Sequence, residues 1–198
     1  MRRADLKPQR KGHPLIKRRL AVAAAATATL GLALAPVASA AKKNEIRIVG
    51  GTKFKAGLYF KDDVRFKPRA TVVKSGATVN VVNKSTDKDA PHTISFVEKK
   101  FLPKSFEAPA LGPLGAAHAF NEQTGDVGFF QVNDGVGVPN DQAGVLEVNS
   151  LGTDQVAGDS QFIAPGQGTS FKVTAEKGSR LFYFCAVHPW MQGKIKVN

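Results

Sequence analysis

Short segments in which apolar residues recur at every second position constrain this chain most. That period puts one row of side chains on each face of a strand, and burying one row requires a second layer. Ile46 and Ile48 alternate with charged neighbours in Glu45–Val49. Val79 and Val81 alternate in the same way within 77–83, Phe171 and Val173 within 170–174, and Ile195 and Val197 within 194–197. Lys74-Ser75-Gly76 and Glu176-Lys177-Gly178-Ser179 punctuate them as turns. No long stretch carries a helical period. The pattern predicts an all-β sandwich or barrel built from short strands.

The formal net charge of +12 would suggest an anionic partner, but it is unevenly held. Residues 1–40 contain eight of the 28 Lys and Arg residues and, in Asp5, one of the 16 acidic ones. The basic excess belongs mostly to this leader, so no nucleic-acid partner is expected. A basic stretch ends at Arg18-Arg19, an alanine-rich apolar run covers 20–37, and Ala38-Ser39-Ala40 follows. This is the layout of a secretory signal peptide. The run approaches membrane-spanning length, but Gly31 and Pro36 interrupt it and a cleavage-type sequence ends it. The expectation is a signal peptide over 1–40 and a single mature domain over 41–198 in the periplasm or outside the cell, without a membrane span. Lys17-Arg18-Arg19-Leu20 resembles part of a twin-arginine signal, which leaves the export route open. No cysteine beside the cut provides for a lipid anchor.

Exported proteins usually pair their cysteines. This chain has one, Cys185, which cannot form an internal disulfide. It is therefore a ligand, a reactive thiol, an intermolecular partner or an inert core residue. Its neighbours decide. An aromatic segment, Leu181-Phe182-Tyr183-Phe184, delivers Cys185, and Ala186-Val187-His188-Pro189-Trp190-Met191 continues at Cys-x2-His-x2-Met spacing. Upstream, His92, Ile94 and Phe96 share one parity, so a histidine faces inward at the end of an apolar row. Thiolate and thioether are soft donors suited to Cu(I), and imidazole serves copper in both oxidation states. Two His and one Cys in a plane with a weak axial Met describe a blue-copper electron-transfer site. The candidate metal ligands are His92, Cys185, His188 and Met191.

These residues resemble the plastocyanin/azurin family of cupredoxins, and the loop from Cys185 to Met191 is similar to that of the amicyanins. The strand Gly76-Ala77-Thr78-Val79-Asn80-Val81-Val82-Asn83, followed by Pro91-His92-Thr93, also resembles the family. Asn83 sits where members often place an asparagine that steadies the ligand loops. The resemblance covers about residues 66–99 and 168–198. It implies a Greek-key β-sandwich with one type 1 copper ion at one end. It also implies a monomeric one-electron carrier, not an enzyme, working between a donor and an acceptor redox protein. In the family the second ligand histidine, the one in the C-terminal loop and here His188, often shows a ring edge at an apolar surface, which would make it the electron port. A copper-dependent oxidoreductase on the same fold is an alternative, although enzymes usually need an open coordination position. Copper trafficking is another; it favours exposed Met and His clusters, and the chain has two methionines.

The middle of the chain departs from the family pattern. His92 and Cys185 lie 93 positions apart. The excess is a Gly-rich insertion at about 101–168, where strand patterning is weak. Between Ser105 and Phe171 there are eight acidic residues and no Lys or Arg. Either this is a negative surface that steers a basic partner, or its charge merely keeps an excursion soluble. A structureless loop of this length is unusual in a compact domain. A hairpin or two is expected there, for example around Val145–Val148, packed over the sandwich. His118 lies inside the insertion without a companion ligand at a recognised spacing, and is expected to be a surface or packed residue.

Overall fold

The alternating segments form strands, and the strands pack as two facing sheets. The computed structural model describes residues 44–105, 118, 131–139 and 142–198. The expected signal peptide and much of the expected insertion lie outside the described residues. In chain order the strands are β1 (Glu45–Val49), β2 (Thr52–Lys55), β3 (Tyr59–Asp62), β4 (Arg65–Lys67), β5 (Ala70–Val73), β6 (Thr78–Asn83) and β7 (His92–Val97). After one 3-10 turn, Lys99–Phe101, come β8 (Gln131–Asn133), β9 (Val136–Val138), β10 (Leu146–Val148) and β11 (Ser160–Ile163). The C-terminal strands are β12 (Gly168–Val173), β13 (Arg180–Phe184) and β14 (Gln192–Val197). Among the described residues no helix is long and apolar enough to cross a membrane.

One sheet runs β10-β12-β6-β1-β4 and the other β5-β14-β13-β7-β11-β8-β9. The alternating residues meet between them. Ile46, Ile48, Val79, Val81, Phe171 and Val173 come from the first sheet, and Ile94, Phe96, Leu181, Tyr183, Ile195 and Val197 from the second. Aromatic edges lock the layers together: Phe66 meets Tyr183 with ring centroids 5.0 Å apart, and Phe96 meets Phe171 at 5.3 Å. Truncating one of these buried rings to alanine costs roughly 3–5 kcal/mol in comparable cores. Tyr183 pairs across the strands with Gly193, and a Cβ at 193 would collide with the tyrosine ring. This is the all-β sandwich that the two-residue period predicts.

The described part of the middle segment is built into the sheets. β8 and β9 form the expected hairpin, at 131–138 and not at Val145–Val148. Leu146–Val148 is instead a strand that pairs in parallel with β12, and its leucine and valine side chains are both buried. β11 lies beside β7 in the second sheet, in the register Ile163↔His92 and Ser160↔Ser95. Two devices hold the segment in place. Asp159 is fully buried, and its carboxylate accepts the N–H groups of Asp134, Asn149 and Ser150 at 2.9, 2.9 and 2.7 Å. Burial raises its pKa, and these backbone donors oppose that rise. Gly158 packs so closely on Gly152 and the Phe96 carbonyl that a Cβ would collide with both.

The segment Thr52–Asp62, which drew no attention as sequence, is a separate two-stranded ribbon of β2 and β3 with Phe54, Leu58, Tyr59 and Phe60 exposed.

Candidate metal centre

β7 and β13 are antiparallel neighbours, and their ends bring the two halves of the site together. His92 is the first residue of β7, and Cys185 directly follows the last residue of β13. The loop after Cys185 folds back on itself. The Cys185 N–H donates to the Met191 carbonyl at 3.0 Å, and the Met191 N–H to the His188 carbonyl at 2.8 Å. Gln192 ties the same turn to the protein through Nε2, which donates to the carbonyls of Pro189 and Pro103 at 3.0 and 2.7 Å.

The structure places three of the four expected ligands within reach of one ion. The ligand atoms of His92, Cys185 and His188 all lie within 4.8 Å of one another. Nδ1 of His92 is 3.8 Å from Cys185 Sγ, and Nδ1 of His188 is 3.7 Å from it. The two rings have centroids 4.7 Å apart. An ion about 2.0 Å from an imidazole nitrogen and about 2.3 Å from a thiolate, with bonds about 120° apart, separates the two donors by about 3.7 Å. The observed spacings fit that requirement and are long for ordinary hydrogen bonds. The Met191 side chain is fully buried in the same core cluster as Cys185.

Burial governs the electrostatics. It lowers the pKa of His92 to about 4, with the neighbouring His188 adding to the effect. It also lowers that of His188, against the opposing carboxylates of Asp62 and Asp87. The Cys185 thiol is pushed up by burial, and donors from Thr93, His188 and Val187 oppose the rise. The Thr93 N–H lies 3.3 Å from Sγ. Two imidazoles biased by their surroundings toward the neutral form, beside a thiol surrounded by donors, suit a soft metal ion.

Other expectations find definite places. Asn83 is buried; its Oδ1 accepts from the Ser85 N–H and hydroxyl at 3.0 and 2.8 Å, and its Nδ2 donates to the Ala90 carbonyl at 3.4 Å. It braces the loop that leads into His92. Tyr183 and Phe184 are core residues. Trp190 is partly buried against the core, its ring edge-on to His188 at 5.2 Å. His188 Nε2 faces Asp62 Oδ2 at 4.0 Å, with both side chains slightly exposed. Sequence reasoning missed Asp62, and it missed the polar row Thr93 and Ser95.

The family model for copper binding proteins of the plastocyanin/azurin family matches residues 54–198. It thus spans the middle segment as well as both ligand regions. No curated protein matches the chain significantly. Among solved structures, the chain is similar to a novel purple cupredoxin from Nitrosopumilus maritimus at 16% identity, covering 78% of this chain and 98% of that one, with a TM-score of 0.38. It is similar to the reduced Cu(I) form of a mutant amicyanin at 17% identity over 80% of this chain and 85% of that one, TM-score 0.38. It is similar to plastocyanin from Dryopteris crassirhizoma at 13% identity over 78% and 99%, TM-score 0.34. At these scores the likenesses stand beside the family match and add no weight to it. By the span of that match, the chain belongs to the plastocyanin/azurin family of copper binding proteins.

Proposed function

We propose that His92, Cys185, His188 and Met191 hold one copper ion, and that the exported protein carries single electrons between larger redox proteins of the cell envelope. The observation that supports this most is the spacing of the two imidazole Nδ1 atoms, 3.8 and 3.7 Å from one buried sulfur. Copper bound there would supply a one-electron Cu(II)/Cu(I) couple. The protein's part is to hold the donors still. Cys185 and His92 are anchored at the ends of two paired strands, and the Cys185–Met191 backbone bond closes the loop that carries His188. Rigid donors leave little to rearrange when the charge changes. Burial of Cys185, His92 and Met191 keeps water from competing for the ion. His188 is the ligand nearest solvent, its side chain 13% exposed, and its outward edge is the natural exit for an electron.

The test is electrochemical. Protein recovered from the exported fraction should contain one copper ion per chain and give a reversible one-electron wave. It should also exchange electrons rapidly with oxidoreductases of its own envelope. A copper-free exported protein would contradict the assignment, as would copper that turns over a small substrate without a reversible wave.

A further inference from the structure

Behind the Cys185 sulfur runs a line of hydrogen bonds that ligand placement alone does not require. The Ala186 N–H donates to Thr93 Oγ1 at 2.8 Å. Thr93 Oγ1 lies 2.9 Å from Ser95 Oγ, which lies 2.7 Å from Ser160 Oγ. Ser160 Oγ lies 2.8 Å from Nε2 of His118. Thr93, Ser95 and Ser160 are fully buried. The His118 ring is tilted against Phe162, with centroids 6.4 Å apart. The line therefore links an imidazole in the middle segment directly, through three hydroxyls, to the residue beside Cys185.

We propose that His118 is a positioning residue for the copper centre. Its Nε2 accepts the last hydrogen bond of this line, which keeps the Thr93 hydroxyl turned away from Cys185 Sγ and thereby sets the reduction potential. The proposal rests on the copper assignment above and concerns how that same site is tuned. Ala186 N–H can only donate, so Thr93 Oγ1 must accept from it and has one proton to place. That proton can go to Ser95, 2.9 Å away, or to the Cys185 sulfur, which the Thr93 side chain also reaches. Directed to Ser95, each hydroxyl accepts once and donates once, and Nε2 receives the last proton. The bonds then run head to tail and polarise one another in the same sense. Directed to the sulfur, Ser95 and Ser160 must both reverse, and Nε2 must supply a proton instead. The role of the imidazole nitrogen thus selects whether the Thr93 hydroxyl joins the backbone donors of Thr93, Val187 and His188 at Sγ. An added donor withdraws charge from the thiolate and favours Cu(I), because hydrogen bonding around the Cys sulfur tunes such potentials.

His118→Leu removes the terminal acceptor and frees the Thr93 hydroxyl to turn. The reduction potential should rise, with an about tenfold shift of the equilibrium toward Cu(I), which is 59 mV for a one-electron couple. In a Thr93→Val background the same change should leave the potential where Thr93→Val alone puts it. His118→Gln, whose amide oxygen can accept from Ser160, should hold the potential near the parental value. If His118→Leu does not fold, Ser160→Ala interrupts the same line and carries the same expectation. Nitrogen-15 NMR of the metal-free and Cu(I) proteins should show His118 Nε2 without a proton. A protonated Nε2, an unmoved potential in the His118→Leu protein, or an equal shift with and without the Thr93 hydroxyl would each overturn the proposal. A parental protein that binds no copper refutes the copper assignment, and with it the tuning role. A parental protein with a reversible wave but no coupling between positions 93 and 118 refutes the tuning role alone.

Discussion

The two sides of the centre are built from opposite materials. Behind Cys185 the surroundings are buried and uncharged: the Thr93 amide, the hydroxyls of Thr93, Ser95 and Ser160, and the packed Phe184 and Ala186. In front, His188 keeps a small exposed edge, faces the Asp62 carboxylate and touches the edge of Trp190. Polar groups act strongly where water cannot compete with them, and weakly where it can. Under the proposed copper assignment, the back of the site tunes the ion and the front passes its electron.

The largest separation between back and front should appear in the metal-free protein under acid. His92, at the buried end, titrates at about 4 when folded and near 6.5 when unfolded. The unfolded chain then binds the proton first, so stability falls as pH drops from about 6.5 to about 4, by up to roughly 3 kcal/mol. Urea unfolding across that range should show the fall, and His92→Gln should remove most of it. An equal slope in the variant would mean that the inner imidazole is not held neutral by burial.

Met191→Gln should have the next largest effect. A harder donor beside the buried sulfur favours Cu(II), so the potential should fall by at least the equivalent of about tenfold in the equilibrium, 59 mV for one electron. The visible colour should persist. A potential that does not move would separate Met191 from the ligand set.

Asp62→Asn at the front should do least. Losing a part-exposed carboxylate at 4.0 Å should change stability by no more than about 1 kcal/mol. Because Asp62 raises the His188 pKa, the variant should lower it, readable by NMR titration of the metal-free protein. A large shift in potential from this change would erase the proposed division between back and front.

The same contrast explains what the sequence discloses. Cys185, His188 and Met191 are legible because three consecutive donors sit in one tight loop, and β1, β6, β12 and β14 because each buries a single face. β7 is different. All six of its residues are buried, so Thr93 and Ser95 read as a solvent row although they are interior donors and acceptors. The middle segment is obscured for a related reason. Gly158 reads as loop composition, yet glycine is required where backbone crosses backbone at the end of β7. Asp159 reads as one of many surface acids, yet it ties three stretches of main chain together. Excising 105–167 would remove β8, β9, β10 and β11, and so would test folding before it tested docking.

Absorption and EPR spectra of the copper-loaded parent and of Cys185→Ser test the central claim most directly. The parent should show an intense visible thiolate-to-copper charge-transfer band with the narrow copper splitting of a sulfur-bound site, and the serine variant should be colourless while still folded. A band that survives the loss of the sulfur, or a parent whose bound copper shows no thiolate signature, would contradict the account.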